Sequence, residues 1–179
     1  MINKNIPNIL TTARMILVPV FLYFAFIENW LVALVIFVIA SLTDYFDGYL
    51  ARKYQLVSNY GKLMDPLADK LLVLAAVFVV TFIPVRLLHP VIFVVIALRE
   101  IAVTILRDVY ARKQIIIPAN IWGKLKTVTQ MAGLIFAMLF LMFLNSNDAV
   151  RVGLQLYFWI VALITVLSGS NYFILKRGK

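Results

Sequence analysis

Six apolar stretches, each about as long as a bilayer's hydrocarbon core is wide, follow one another with only short polar breaks between them. They fall at roughly 8–27, 30–52, 60–83, 89–112, 120–144 and 149–174. The breaks lie at Glu28 and Asn29 and at 53–59, 84–90, 112–118 and 145–148. About 20 apolar residues in a helix cross a ~30 Å core, and lipid tolerates no unpaired backbone groups. The expected fold is therefore an all-α integral membrane protein of six transmembrane helices. It forms one polytopic domain over residues 1–179, with a short interfacial segment at about 1–7 ahead of a helix that opens near Pro7. Pro66 is expected to distort the third helix locally.

Composition narrows the function classes. A chain that is 64% hydrophobic, with a mean hydropathy of +0.97, is too apolar for a soluble domain. The formal charge of +9 does not indicate nucleic acid, because the basic residues punctuate apolar spans instead of forming a basic-aromatic patch. Placed there, they attract anionic membrane lipids and phosphorylated substrates. Zero cysteines exclude disulfides and thiolate metal sites. Lys4 and the run after it imitate a secretory signal, but Arg14 interrupts the run and no small-residue cleavage site follows, so the first helix is expected to be retained.

Basic residues also set the orientation. Lys4, Arg52, Lys53, Lys62, Arg112, Lys113, Lys176, Arg177 and Lys179 fall on one side, against Arg86 and Arg151 on the other. The positive-inside rule puts the rich side and both termini in the cytoplasm of a multi-pass cell-membrane protein. His89 then sits in an outer interfacial loop, and Trp30, Trp122 and Trp159 read as lipid-facing packing or interface anchors.

Against this apolar background, Asp44, Asp47, Asp65 and Asp69 require an explanation. On helices the first pair lies ~60° apart around the axis and the second ~40° apart, so each pair shares a face. Residues 53–62 suffice to fold the third helix back on the second. With ~1.5 Å per residue, Asp44 and Asp69 both lie ~12 Å from the cytoplasmic helix ends. Carboxylates gathered at one depth in a membrane repel one another unless cations neutralise them. Oxygen-only donors favour Mg²⁺, Mn²⁺ or Ca²⁺ over zinc.

These acids belong to a longer pattern: Asp44, Asp47-Gly48, Ala51-Arg52, Gly61, Asp65 and Asp69, spread over 26 of 179 residues. The pattern resembles the signature of the CDP-alcohol phosphatidyltransferases, with every signature position filled at the expected spacing. Asn5-Ile6-Pro7-Asn8-Ile9-Leu10-Thr11 with Arg14, Leu98-Arg99-Glu100 with Arg107, and Gly123-Lys124-Leu125-Lys126-Thr127 are similar to members of that family that use glycerol 3-phosphate. The resemblance implies transfer of a phosphatidyl group from CDP-diacylglycerol to sn-glycerol 3-phosphate by direct displacement, in a homodimer. Asp44, Asp47 and Asp65 would hold two Mg²⁺ or Mn²⁺ ions, with Asp69 as general base and a further metal ligand. Gly48, Ala51 and Gly61 would leave room for the cytidine and ribose beside Asp44, Arg52 would contact the pyrophosphate, and Asn8 and Thr11 would line the CDP-diacylglycerol site.

Small residues also serve close helix packing in lipid, and Asn8 and Thr11 also suit a helix cap. The candidate acceptor cations are Arg107, Lys124 and Lys126, with Thr127, Arg99 and Arg14. Arg99, Glu100, Val103 and Arg107 fall within a ~100° arc facing protein or water. Glu100 is placed to neutralise an arginine, and Lys124 and Lys126 point to different sides of their helix, where snorkelling is an alternative role for each. The family signature leaves other acceptors open: phosphatidylglycerol, serine or inositol phosphate. A divalent-cation or proton transporter would also need intramembrane acids, but the outer stretches 30–40 and 72–84 carry no charge to continue such a path.

Overall fold

In a computed structural model, residues 6–53, 59–83, 86–112, 121–143 and 147–174 are described. They form six helices: α1 (Ile6–Phe26), α2 (Trp30–Lys53), α3 (Asn59–Phe82), α4 (Pro90–Arg112), α5 (Ile121–Phe143) and α6 (Asp148–Ile174). There is no strand among the described residues. The helix ends follow the expected breaks to within two residues, and α3 runs unbroken through Pro66. Residues 1–5 of the expected interfacial segment lie outside the described residues.

Side chains define a packed inside and an outside that is apolar as well, unlike the polar surface of a soluble bundle. On α2, Trp30, Ala33, Phe37 and Ala40 are buried while Leu31, Val35, Ile39 and Leu42 are exposed. On α6, Leu154, Phe158 and Ala162 face inward and Leu156, Ile160, Leu163 and Leu167 outward. An outer face of branched apolar residues suits lipid, not water. Several hydroxyls inside the helices return to their own backbone, as Ser41 does to the Phe37 carbonyl and Thr81 to the Val77 carbonyl. That is the economical arrangement where no water competes.

All six helices are 21 to 27 residues long, about 32–40 Å at 1.5 Å per residue. Among the described residues, Leu125–Phe143 and Asp148–Gly169 are long and apolar enough to span a membrane by themselves, and Thr11–Phe26, Trp30–Thr43 and Lys70–Phe82 are shorter apolar runs. The reading of six spans is therefore met in part.

Consecutive helices pack as neighbours: α1 on α2, α3 on α4 and α5 on α6, with α1 also against α3 and α4 against α6. The first turn is tight. Glu28 takes a positive φ of 60°, the Asn29 N–H returns to the Phe24 carbonyl, and the Asn29 side chain caps α2 by accepting from Val32 N–H at 3.3 Å. This turn swings Trp30 onto the core, where it is 7% exposed, so Trp30 is no interface anchor. Trp159 is exposed as expected, and the side chain of Trp122 lies outside the described residues. His89 is exposed, caps α4 through Nδ1 and stacks near Trp159. At α5–α6, Gly133 leaves room for Tyr157: a Cβ there would stand 2.5 Å from the tyrosine ring, whose hydroxyl donates to the Thr129 carbonyl at 2.7 Å.

Candidate active site

The end of α2 carries Asp44 and Asp47, and the start of α3, its packing neighbour, carries Asp65 and Asp69. Both segments are helical, so the angular spacing within each pair holds on the backbone. The side chains of these four acids, and of Asn8, Gly48, Ala51, Arg52, Gly61 and Lys124, lie outside the described residues. What the structure adds is the polar surroundings contributed by α1, α4, α5 and α6.

Thr11 is fully buried and Arg14 is 1% exposed, one helical turn apart on α1. Because α1 begins at Ile6, Asn8 and Thr11 both lie within the helix and neither caps it. On α4, Glu100 is 6% exposed and forms ion pairs with Arg99, at 3.1 Å, and with Lys126 of α5, which is itself 6% exposed. Arg99 also donates to the Thr165 carbonyl at 3.0 Å and to Ser168 Oγ at 2.6 Å, bracing α4 against α6. Its guanidinium is thus engaged by three protein acceptors, and the neutralising role for Glu100 holds. Lys126 does not snorkel outward; its ammonium turns into the bundle. Removing two cations and one carboxylate from water is costly, and the group retains one net positive charge for an anion to meet.

Arg107 and Thr127 are exposed, and the Thr127 hydroxyl donates to the Gly123 carbonyl at 3.1 Å. Lys70, Glu100, Lys126, Thr127 and Gln130 line a small cavity of about 20 Å³ where α3, α4 and α5 meet. Sequence reasoning passed over Lys70, Gln130, Thr165 and Ser168. For Gln130 the available signal was its position four residues after Lys126, an amide at the edge of the apolar run that begins at Met131. Thr165 and Ser168 carry no sequence signal, because their role depends on Arg99, more than sixty positions away.

Residues 4–169 match the CDP-alcohol phosphatidyltransferase family. The chain belongs to that family. Several relatives are similar over nearly their whole length. A Rickettsia prowazekii protein named CDP-diacylglycerol–glycerol-3-phosphate 3-phosphatidyltransferase is 37% identical over 96% of this chain and 95% of its own. Proteins of the same name from Bacillus subtilis and Haemophilus influenzae are 38% and 31% identical, covering 94% and 97% of this chain and 93% and 94% of theirs. For a CDP-alcohol phosphatidyltransferase, the donor set of α2 and α3 is chemically apt: four carboxylates with no thiolate in the chain, and its single histidine at the opposite end of the bundle. Hard oxygen donors of this kind fit Mg²⁺ or Mn²⁺.

Proposed function

We propose that this protein transfers the phosphatidyl group of CDP-diacylglycerol to the primary hydroxyl of sn-glycerol 3-phosphate, giving phosphatidylglycerophosphate and CMP. The observation that carries this reading is the complete four-aspartate signature on two neighbouring helices, at the end of the bundle where buried polar side chains also gather. The name shared by relatives along nearly the full chain supports glycerol 3-phosphate as acceptor.

On this reading all six helices of the single 1–179 domain cross the cell membrane. Both termini and the polar end face the cytoplasm, membrane lipids cover the apolar outer faces, and the enzyme is a homodimer. Asp44, Asp47 and Asp65, with Asp69, hold the metal. Two Mg²⁺ or Mn²⁺ ions bound there supply charge neutralisation for the pyrophosphate oxygens. Gly48, Ala51 and Gly61 make space for the nucleoside, Arg52 offers its planar fork to the pyrophosphate, and Asn8 and Thr11 line the donor site from α1. Asp69 accepts the proton of the acceptor hydroxyl as its oxygen bonds to the phosphorus that carries diacylglycerol. The phosphorus–oxygen bond to the cytidylyl phosphate breaks, and CMP departs with the electron pair. Arg107 and Lys126, with Thr127, Lys124 and Arg14, supply positive charge and donors for the acceptor phosphate, while Arg99 keeps α4 and α6 in place.

Purified protein, CDP-diacylglycerol and Mg²⁺ with a panel of labelled acceptors test the proposal. Glycerol 3-phosphate should be used in preference to serine, inositol phosphate and phosphatidylglycerol. Preferential labelling of another acceptor would move the enzyme to a different branch of the same family.

A further inference from the structure

Among the groups lining the small polar cavity, Gln130 stands apart. It is 1% exposed, and neither its amide nitrogen nor its amide oxygen has a hydrogen-bond partner. Its polar neighbours there are engaged: Glu100 by Arg99 and Lys126, the Thr127 hydroxyl by the Gly123 carbonyl, and Lys70 likewise by an interaction of its own. A buried amide left unsatisfied on both sides is unfavourable, so such a site calls for a partner that donates and accepts at once. A hydroxyl does both. The cavity of about 20 Å³ admits one group of that size and no more.

Position along the helices indicates which hydroxyl. Gln130 is nine residues from the start of α5, ~13.5 Å along the axis, and Asp69 is ten residues from the start of α3, ~15 Å. Lys70, the residue after Asp69, lines the same cavity as Gln130, so the amide lies near the level of the proposed base, one helical turn beyond Lys126. Glycerol 3-phosphate presents three polar groups: a reacting primary hydroxyl, a phosphate, and a secondary hydroxyl between them. Asp69 is assigned to the first and the cations to the second.

We propose that Gln130 is the specificity-determining residue for the non-reacting secondary hydroxyl of the acceptor, which it binds as both donor and acceptor. This rests on the function proposed above. The site then distinguishes glycerol 3-phosphate from phosphorylated alcohols of equal length and charge that lack the central hydroxyl.

The test compares glycerol 3-phosphate with 3-hydroxypropyl phosphate, its deoxy counterpart, at saturating CDP-diacylglycerol and Mg²⁺. The unsubstituted protein should favour glycerol 3-phosphate in kcat/KM by ~10-fold or more. In Gln130→Leu and Gln130→Met that ratio should collapse toward one, with the loss falling on glycerol 3-phosphate. A ratio taken within one preparation does not change with the fraction of folded protein, so a purely structural role for Gln130 would leave it intact. Equal use of the two acceptors by the unsubstituted protein, or a preference that survives both substitutions, overturns the inference while the proposed function stands. Failure to use glycerol 3-phosphate at all, with turnover of another acceptor, overturns both.

Discussion

The two ends of the bundle solve the same problem of packing helices without water in opposite ways. In the half formed by the starts of α1, α3 and α5 and the ends of α2, α4 and α6, buried polar residues accumulate: Thr11, Arg14, Glu100, Lys126, Gln130, Thr165 and Ser168. In the other half the core is Phe21, Ala25, Trp30, Ala33, Phe140 and Leu154, and Thr81 is the one buried polar residue among those described. Thr81 satisfies itself within its own helix, whereas Glu100 needs partners on two helices and Arg99 reaches across to a third. Apolar packing with small residues needs no directional partners and holds the bundle together. The polar half carries desolvated charge that stability alone does not call for, in keeping with the site proposed there.

The largest contrast should appear in turnover. Asp44→Asn, Asp47→Asn, Asp65→Asn and Asp69→Asn should each reduce turnover by ~10²-fold or more, with loss of a base alone typically reaching 10²–10⁴-fold. Asp69→Asn should keep CDP-diacylglycerol binding, whereas Asp44→Asn and Asp65→Asn should weaken metal-dependent nucleotide binding in a titration. Near-normal turnover by Asp69→Asn removes it as the base.

Stability should divide the two halves next. Glu100→Gln leaves Lys126 and Arg99 without their buried carboxylate and should cost about 3–5 kcal/mol, while Thr81→Val should cost ~1 kcal/mol or less. Thermal unfolding in detergent compares them directly, and adding Lys126→Met to Glu100→Gln should recover part of the loss. Equal costs for the two single substitutions would erase the distinction between the halves.

Acceptor recognition gives a smaller effect on the same side. Arg107→Ala and Lys126→Ala should each raise KM for glycerol 3-phosphate by ~10–150-fold, the equivalent of ~1.5–3 kcal/mol for a charge-assisted contact. CDP-diacylglycerol affinity should hardly change when each substrate is varied in turn. If both variants instead lose donor affinity and keep the parent acceptor KM, these residues belong to the donor site.

The smallest effect probes apolar packing. A Cβ at Gly133 collides with Tyr157, whereas a Cβ at Gly153 meets nothing within 4 Å. Gly133→Ala should lower stability by ~1–3 kcal/mol, and Gly153→Ala should be neutral or stabilise by up to ~1 kcal/mol through helix propensity. The order of melting temperatures decides it, and a reversed order would show that the α5–α6 contact is looser than described.

The six helices were legible because the apolar runs are long and their breaks carry recognisable signals, such as Asn29 and Asn147 accepting backbone N–H bonds at the starts of α2 and α6. The aspartate pairs were legible because helical spacing alone relates Asp44 to Asp47 and Asp65 to Asp69. Partner choice was not. Nothing local tells Glu100 to pair with Lys126, 26 positions away, or tells Arg99 to seek Ser168. Trp30 was misread for a similar reason: its place at a helix start suits an interface anchor, and only the tight turn at Glu28 turns it inward. A lone Gln130 in an apolar helix carries no motif, and its importance emerges from burial without a partner.

Release of labelled CMP from CDP-diacylglycerol by the purified protein tests most directly the claim that the four-aspartate end performs a metal-dependent displacement. CMP should appear only when both Mg²⁺ and glycerol 3-phosphate are present, stop on chelation, return when Mg²⁺ is restored, and fall by ~10²-fold or more in Asp69→Asn. CMP released at the full rate under chelation, or by Asp69→Asn, would contradict the account.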